Sequence, residues 1–414
     1  MSSSSAPKPS PGLAEIVVIT AAVMALGALS IDIMLPALSV IGADLSVANP
    51  NDVQFVVYAF TIGYGVAQLF FGPLSDRFGR RTILLGALAG YMFAAVMSVF
   101  ASSFSLLLAA RMLQGVCTAA SRVAIMASVR DRYSGTRMAE VTSAATTVFM
   151  AAPILAPAIG QLILSVSEWR MIFAFLLFYG VMLGGWLGAR LNETLGPDAR
   201  RSLRLSSIVA SFGFFVSNRL ALGYTLISMV LWGAFFAYLG TAQPIYVGIF
   251  NLGALFPLAF ALGAIPYGAA ALANSLIVRR YGVRRILHSG VVAIIAINAA
   301  HLLIIAGGGE SLAVFITAIC ATLFALGFVG PNATALAMEP MGTIAGAAAA
   351  VNGFAATTGA AIIGALIGAQ LNGAPTPVPA GFFVMGVIAL AIVWRTENGR
   401  LFPDERNKSA ETSA

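Results

Sequence analysis

Twelve separate runs of apolar residues, each near the roughly 20 positions a helix needs to cross a bilayer, dominate this chain. They read as helices over Ile16–Ile41, Val53–Leu74, Thr82–Ala101, Leu106–Val129, Val141–Leu164 and Met171–Ala189. Six more follow over Leu220–Tyr246, Leu252–Val278, Ile286–Ala306, Leu312–Ala337, Ile344–Ala369 and Val378–Trp394. Charged residues make up 9% of the sequence, against roughly 25% in soluble proteins, so a water-soluble globule is excluded. The longest stretch between runs, Leu191 to Arg219, is too short for a separate catalytic domain. The expected fold class is an all-α membrane protein. The Ser/Pro-rich tail, residues 1–15, is expected to be disordered. It lacks a basic flank and a small-residue cleavage site, so no cleaved leader is expected.

A net charge of +7 could signal nucleic-acid binding, but the arginines sort by side of a membrane instead. With both termini cytoplasmic, all 23 basic residues except Arg111, Arg122 and Arg170 fall in cytoplasmic segments, as the positive-inside rule requires. Nucleic acid is therefore not an expected partner. The only lysines are Lys8 and Lys408, in the tails, so there is no phosphate-cradling loop to drive transport by nucleotide hydrolysis. Cys117, Cys320, His288 and His301 are scattered singly. They offer no metal cluster, and packing roles are expected.

The arginine-rich segment 191–218 divides a half at 16–190 from a half at 219–395, leaving a tail at 396–414. It reads as a cytoplasmic linker, with an interfacial helix expected around Leu203–Phe215. An internal repeat supports the division. The stretch Asp76-Arg77-Phe78-Gly79-Arg80-Arg81 recurs 203 positions later, with Arg77, Phe78 and Gly79 meeting Arg280, Tyr281 and Gly282. Two six-helix halves in the same direction are the pattern of a parallel-repeat transporter.

Asp32 is the only acidic residue well inside a span. A charge there costs roughly 2.5–3.5 kcal/mol on insertion scales, and intramembrane acids mark ion pathways. Pro36 cannot donate to the Asp32 carbonyl, so a helix bend coincides with the carboxyl. The alternative is a structural acid paired with Arg111 or a hydroxyl. In the fourth span Arg111, Gly115, Thr118 and Arg122 share one narrow stripe, with Gln114 beside Arg111. Arg111 either forms a static pair or moves with the charge on Asp32, while Arg122 either shares that stripe's function or snorkels to the cytoplasmic surface. After the second span, Gly72 is expected to permit close helix approach and Gly79 to make a tight turn. Asp76 is expected to hydrogen-bond at a helix start or to sit against a positive helix end in the other half. In the fifth span the stretch Pro153–Gly160 holds Pro153 and Pro157, which free carbonyls on one face and give a bent, closely packed helix.

The loop after the second span resembles the signature of the major facilitator superfamily at Gly72, Asp76, Arg77, Gly79, Arg80 and Arg81, and Arg111 with Gln114-Gly115 resembles that superfamily's fourth-helix motif. Asp32 with Leu35-Pro36-Ala37, Val129-Arg130-Asp131, Glu193-Thr194-Leu195 and Ala345-Gly346 resembles the branch that confers bicyclomycin and chloramphenicol resistance, Bcr/CflA. The fifth-span stretch is similar to the superfamily's antiporter motif, although Ala156 stands where Gly is usual and Gly160-Gln161 where Gly-Gly is usual. The resemblance implies two six-helix halves and export of lipophilic drugs in exchange for protons across the bacterial inner membrane. Asp32 would then be the protonatable residue shared with drug, Arg111 the coupling residue, Gln114 a pocket residue and Asp76 a cytoplasmic latch. No cofactor beyond the proton gradient is implied, and a monomer is expected.

The second half has no charge well inside a span, and Val314 stands at the position expected to match Arg111. Trp232, Phe235, Phe236 and Tyr238, with Asn352, are candidates for an apolar pocket wall with a polar anchor. The first alternative is an exporter of a metabolite such as a sugar, amino acid or nucleoside, which would want a more polar pocket. A membrane enzyme is disfavoured because no paired carboxylates, His cluster or activated nucleophile lie near a span end. A channel is disfavoured because one carboxylate per chain makes no ring.

Overall fold

A computed structural model describes residues 11–196 and 212–402. Its helices include twelve long and apolar enough to cross a membrane. They are α1 (Leu13–Asp44), α2 (Pro50–Phe78), α3 (Arg80–Val99), α4 (Phe104–Arg132), α5 (Gly135–Val166), α6 (Arg170–Arg190), α7 (Arg219–Ile249), α8 (Gly253–Tyr281), α9 (Val283–Ala306), α10 (Leu312–Gly342), α11 (Ala345–Gly368) and α12 (Pro377–Thr396). Most of the expected interfacial helix lies outside the described residues. The part that is described is helical over 212–217, and it buries Phe215 against Ala221, Met341, Ala348 and Val351.

Local chemistry sets several helix ends. Ser103 and Ser311 each accept the amide of the third residue of their helix, Leu106 and Val314, which fills an otherwise orphaned donor. Gly79 (φ 96°) and Gly282 (φ 81°) adopt the same positive-φ turn between α2 and α3 and between α8 and α9, a conformation that disfavours any side chain. The matching Ser caps also revise one equivalence. Counted from Ser103 and Ser311, the partner of Arg111 is Ile319, not Val314, because α9 is longer than α3.

The helices pack in the same pattern twice. α2 lies on α4 and α8 on α10, while α3 lies on α6 and α9 on α12. Between halves α2 crosses α11 and, symmetrically, α8 crosses α5. Glycines allow the closest crossings, as expected where lipid supplies no hydrophobic drive between helices. A Cβ at Gly63 would sit 2.1 Å from the Met112 carbonyl oxygen, and one at Gly115 2.0 Å from that of Phe60, so α2 and α4 meet backbone to backbone.

The hydrogen bonds that cross between the halves cluster away from the chain termini. Asn51 donates to the Leu371 carbonyl (2.7 Å), Gln243 to Ser39 Oγ (2.9 Å) and Tyr58 to the Gly364 carbonyl (2.9 Å), with Gln68 to Thr357 (3.3 Å) nearest the terminal end. At that end the first segment of α5, Gly135–Phe149, buries only Val141 and Ala145. Hydrogen bonds thus join the halves mainly at the far end, while toward the terminal end Leu69 of α2 packs against Met341, Ala348 and Val351 of the second half.

Two spans are broken rather than simply bent. α1 is helical to Asp32, passes through a 3-10 turn at Leu35–Ala37 and resumes at Leu38. α5 breaks at Met150–Ala151, so Pro153 falls in the first turn of a new segment, where its missing N–H costs nothing. Where Pro153 and Pro157 imply a continuous bent helix, α5 is broken, and its closest packing lies in the second segment. A Cβ at Gly160 would lie 1.9 Å from the Ile33 carbonyl oxygen, at the break in α1. Gly160→Ala is therefore expected to destabilise the protein by roughly 1–3 kcal/mol, read as a lowered melting temperature in detergent. Gly185→Ala, which meets nothing within 4 Å, is expected to leave that temperature unchanged or raised.

Candidate functional site

Asp32 is the last residue of the first α1 segment and is 5% exposed. Among the described residues no ion pair or hydrogen bond engages its carboxylate, so the alternative of a structural acid paired with Arg111 is not what the structure shows. Arg111 is 0% exposed, and it is held elsewhere. Its Nε donates to the Val56 carbonyl (3.2 Å), one Nη to the Ser30 carbonyl (2.7 Å) and the other to Gln114 Oε1 (2.5 Å). The guanidinium also lies 4.7 Å from the Phe60 ring centroid, a cation–π contact. Arg111 therefore ties α1 to α2 two residues before the acid. Gln114 spends its oxygen on that tie, and its Nε2 is buried without an acceptor among the described residues.

Arg122, on the same stripe, is exposed but partnered. It donates to the Tyr64 hydroxyl at 2.8 Å.

On the facing half Trp232 meets Phe235 edge-on (5.1 Å), Phe236 (6.2 Å) and Tyr267 (6.2 Å), and all four are partly exposed. Tyr238 is buried, with its hydroxyl 3.4 Å from that of Tyr246, and lies within electrostatic reach of Asp32. Asn352 is not a free anchor, since its oxygen takes the Thr225 hydroxyl at 2.7 Å. The sequence reading missed Tyr64 and Tyr267. The signal was present, because Tyr64-Gly65 recurs as Tyr267-Gly268 at the same 203-residue spacing as the loop.

The loop residues form one network with the first half and the start of the 191–218 segment. Arg80 binds Asp76 (2.5 Å), Ser75 (3.1 Å) and Asp131 (3.0 Å), and Asp131 also accepts the Thr194 hydroxyl. Glu193 accepts the backbone amides of Arg80 and Arg81 at 2.9 and 3.1 Å, capping α3 at its positive end. Arg81 reaches the carbonyls of Leu191 and Gly188, and Arg77 stays exposed over the Phe78 ring. Asp76 is thus engaged within its own half in this conformation, not against a helix of the other. Gly72 is a correction: a Cβ there would meet nothing within 4 Å, so it provides no close approach here. The second half repeats the scheme with Arg284, which binds Glu339 (2.7 Å) and Glu397 (3.0 Å).

Residues 20–362 match the family profile described as Major Facilitator Superfamily. The chain belongs to the major facilitator superfamily. Within it, the chain is 31% identical over 371 residues to an uncharacterised MFS-type transporter of Bacillus subtilis, covering 88% of this chain and 90% of that one. It is 30% identical over 377 residues to a bicyclomycin resistance protein homologue of Haemophilus influenzae, at the same coverages. It is also 29% identical over 335 residues to a chloramphenicol resistance protein of Pseudomonas aeruginosa, covering 78% and 74%. These relatives support the Bcr/CflA-like branch. The Escherichia coli xylose transporter XylE, in a partially occluded inward-open conformation, shares the fold at a TM-score of 0.73 and 12% identity over 92% of this chain and 97% of that one. As a superfamily member the protein is a multi-pass membrane transporter of small molecules, not an enzyme.

The tie made by Arg111 yields a direct test. A lysine ammonium cannot span the Ser30, Val56 and Gln114 oxygens that the planar fork reaches, so Arg111→Lys is expected to lower stability by roughly 1–3 kcal/mol. Melting of the purified variant in detergent checks this, and a midpoint equal to the native one would refute it.

Proposed function

We propose that this transporter exports lipophilic small molecules of the phenicol and bicyclomycin kind in exchange for protons, with Asp32 as the group that carries the proton. The observation that carries the reading is the position of Asp32. It is the only acid well inside a span, it ends a helical segment at a break, and no cation among the described residues holds it. A carboxyl so placed can take a proton or contact cargo without first dissolving an ion pair. The aromatic wall of Trp232, Phe235, Phe236 and Tyr267 supports a lipophilic cargo over a polar metabolite. The names of the relatives from Haemophilus influenzae and Pseudomonas aeruginosa point the same way.

The arginine distribution supports both termini lying in the cytoplasm of a bacterial inner-membrane protein, so the end with fewer hydrogen bonds between the halves faces the cytoplasm in this reading. In the proposed cycle cargo enters there and Asp32 releases its proton inward. The halves 16–190 and 219–395 then rock as units about the linker 191–218. On the outside Asp32 is protonated again and cargo leaves. Closing the cytoplasmic end requires Asp76 to leave Arg80 for the positive start of α11, and Arg111 couples the charge on Asp32 to the seating of α1. Pro153, Pro157 and Gly160 let α5 follow that movement. An entering proton contributes about 2.3 kcal/mol per 100 mV of potential, enough for modest uphill movement. The unit of function is the monomer, and no cofactor is needed beyond the gradient.

Liposomes carrying purified protein and an imposed pH gradient are expected to accumulate chloramphenicol or bicyclomycin. Asp32→Asn is expected to abolish that uphill movement while still allowing downhill flux. Undiminished accumulation by the variant would remove Asp32 from the mechanism.

A further inference from the structure

Arg122 is the charged side chain of the membrane interior that the cycle above does not use. It lies ten residues before the end of α4, well within the span, yet it is exposed. Its direction is set by its neighbours on one stripe. Gly115 abuts α2 at Phe60, a Cβ at Gly27 of α1 would touch Thr118, and Met126 packs with Ala21 and Met24 of α1 and Ala145 and Phe149 of α5. The opposite face of α4 is taken by α3, where a Cβ at Gly90 would lie 2.7 Å from Cys117 Sγ. The Arg122 guanidinium therefore opens inward, into the cleft between halves, and not to lipid.

Its partners are too few. A guanidinium has five N–H donors, and among the described residues the Tyr64 hydroxyl is the one acceptor that Arg122 meets. Arg111, by contrast, is gripped by three oxygens and the Phe60 ring. Tyr64 also aims the fork, since its ring lies against Phe60 and its hydroxyl occupies one edge of the guanidinium. The remaining edge is left for a planar pair of oxygens, the geometry that arginine matches best.

We infer that Arg122, positioned by Tyr64, is a cargo subsite for a planar pair of oxygens such as a carboxylate or nitro group. It selects neutral or anionic amphiphiles over lipophilic cations. The inference rests on the export reading in taking the cleft as the cargo path. The dimensions suit it. The contact of Gly27 with Thr118 places Asp32 and Arg122 on opposite sides of one level, roughly 13 Å apart along the helix axes at about 1.5 Å per residue. The Gln243–Ser39 bond sets α7 in register with α1, which brings Trp232 to the level of Ala28, between the two. A drug-sized molecule can thus lay its apolar body on Trp232 and Phe236, its oxygen pair on Arg122 and its other end near Asp32.

The test is equilibrium binding to purified protein in nanodiscs with four probes. These are chloramphenicol, its counterpart with the nitro group reduced to an amine, 2-naphthoate and tetraphenylphosphonium. Native protein is expected to prefer chloramphenicol over the amine and naphthoate over the phosphonium. Arg122→Gln is expected to weaken the favoured probe of each pair by about tenfold, the worth of one charge-assisted contact, and to erase both preferences. Arg122→Lys, which keeps the charge without the fork, is expected to fall between them. Tyr64→Phe, which removes only the positioning hydroxyl, is expected to blunt the preferences. Equal affinities in native and Arg122→Gln protein, no binding of any probe by the native protein, or a native preference for tetraphenylphosphonium would each overturn the inference. Uphill phenicol transport that ignores Arg122 overturns this inference alone. Arg122-dependent binding of naphthoate without uphill phenicol transport overturns the export reading and leaves the subsite standing.

Discussion

In hydrocarbon no water is available to complete a backbone hydrogen bond, so a helix that breaks inside a membrane must find its partners within the protein. That constraint organises the first half. Pro36 removes the donor that the Asp32 carbonyl would have used, and the helix ends there. The surrounding elements are arranged to support the break. Arg111 reaches across from α4 to the Ser30 carbonyl, and Gly160 of α5 comes close enough to touch the Ile33 carbonyl. Among the described residues the Asp32 carboxylate is then left at the break without an ion-pair or hydrogen-bond partner. The unpaired acid and the helix break thus coincide.

The same economy explains why arginine stands at position 111. Its fork satisfies oxygens on two helices and on its own, and the flat faces of the ion are covered by Phe60 and Phe173. A buried cation that donates charge-assisted hydrogen bonds to neutral carbonyl oxygens need not neutralise the only acid nearby. Had Arg111 paired with Asp32, any proton entering would first have had to compete with a desolvated ion pair, whose rupture is costly. With the cation held by these oxygens, Asp32 has no ion pair among the described residues.

Much of this was legible in the sequence. Twelve spans, the repeat at the α2–α3 and α8–α9 turns, and the break at Pro36 follow from hydropathy, Gly spacing and the chemistry of proline. The partners of the side chains were less accessible, because they depend on which helix faces which. Nothing in the spacing of Arg111 reveals that its acceptors are carbonyls of α1 and α2. Glu193 reads as a linker residue until the fold brings it to the start of α3. Gly72 belongs to a recognisable motif, yet a Cβ there would meet nothing within 4 Å, because which glycines face a neighbouring helix depends on the packing. The equivalence of Val314 to Arg111 failed because a constant offset ignores the extra length of α9, whereas the Ser103 and Ser311 caps give the true register.

The two halves share a scaffold and divide the labour. Each has the positive-φ glycine turn and a buried arginine tying three segments at the terminal end, yet only the first carries charge in the membrane interior. Tyr64 and Tyr267 occupy matching places, one against Arg122 and the other in the aromatic wall, so one inherited position serves a polar site and an apolar one. The far end is closed by a handful of neutral hydrogen bonds from Asn51, Tyr58 and Gln243. Each is worth roughly 0.5–1.5 kcal/mol net. Bonds of that size can be exchanged for a similar set at the other end without a deep energy well on either side. A nearly balanced pair of states is what a carrier needs, because a cargo or a proton can bias the equilibrium only by its own difference in affinity between the two.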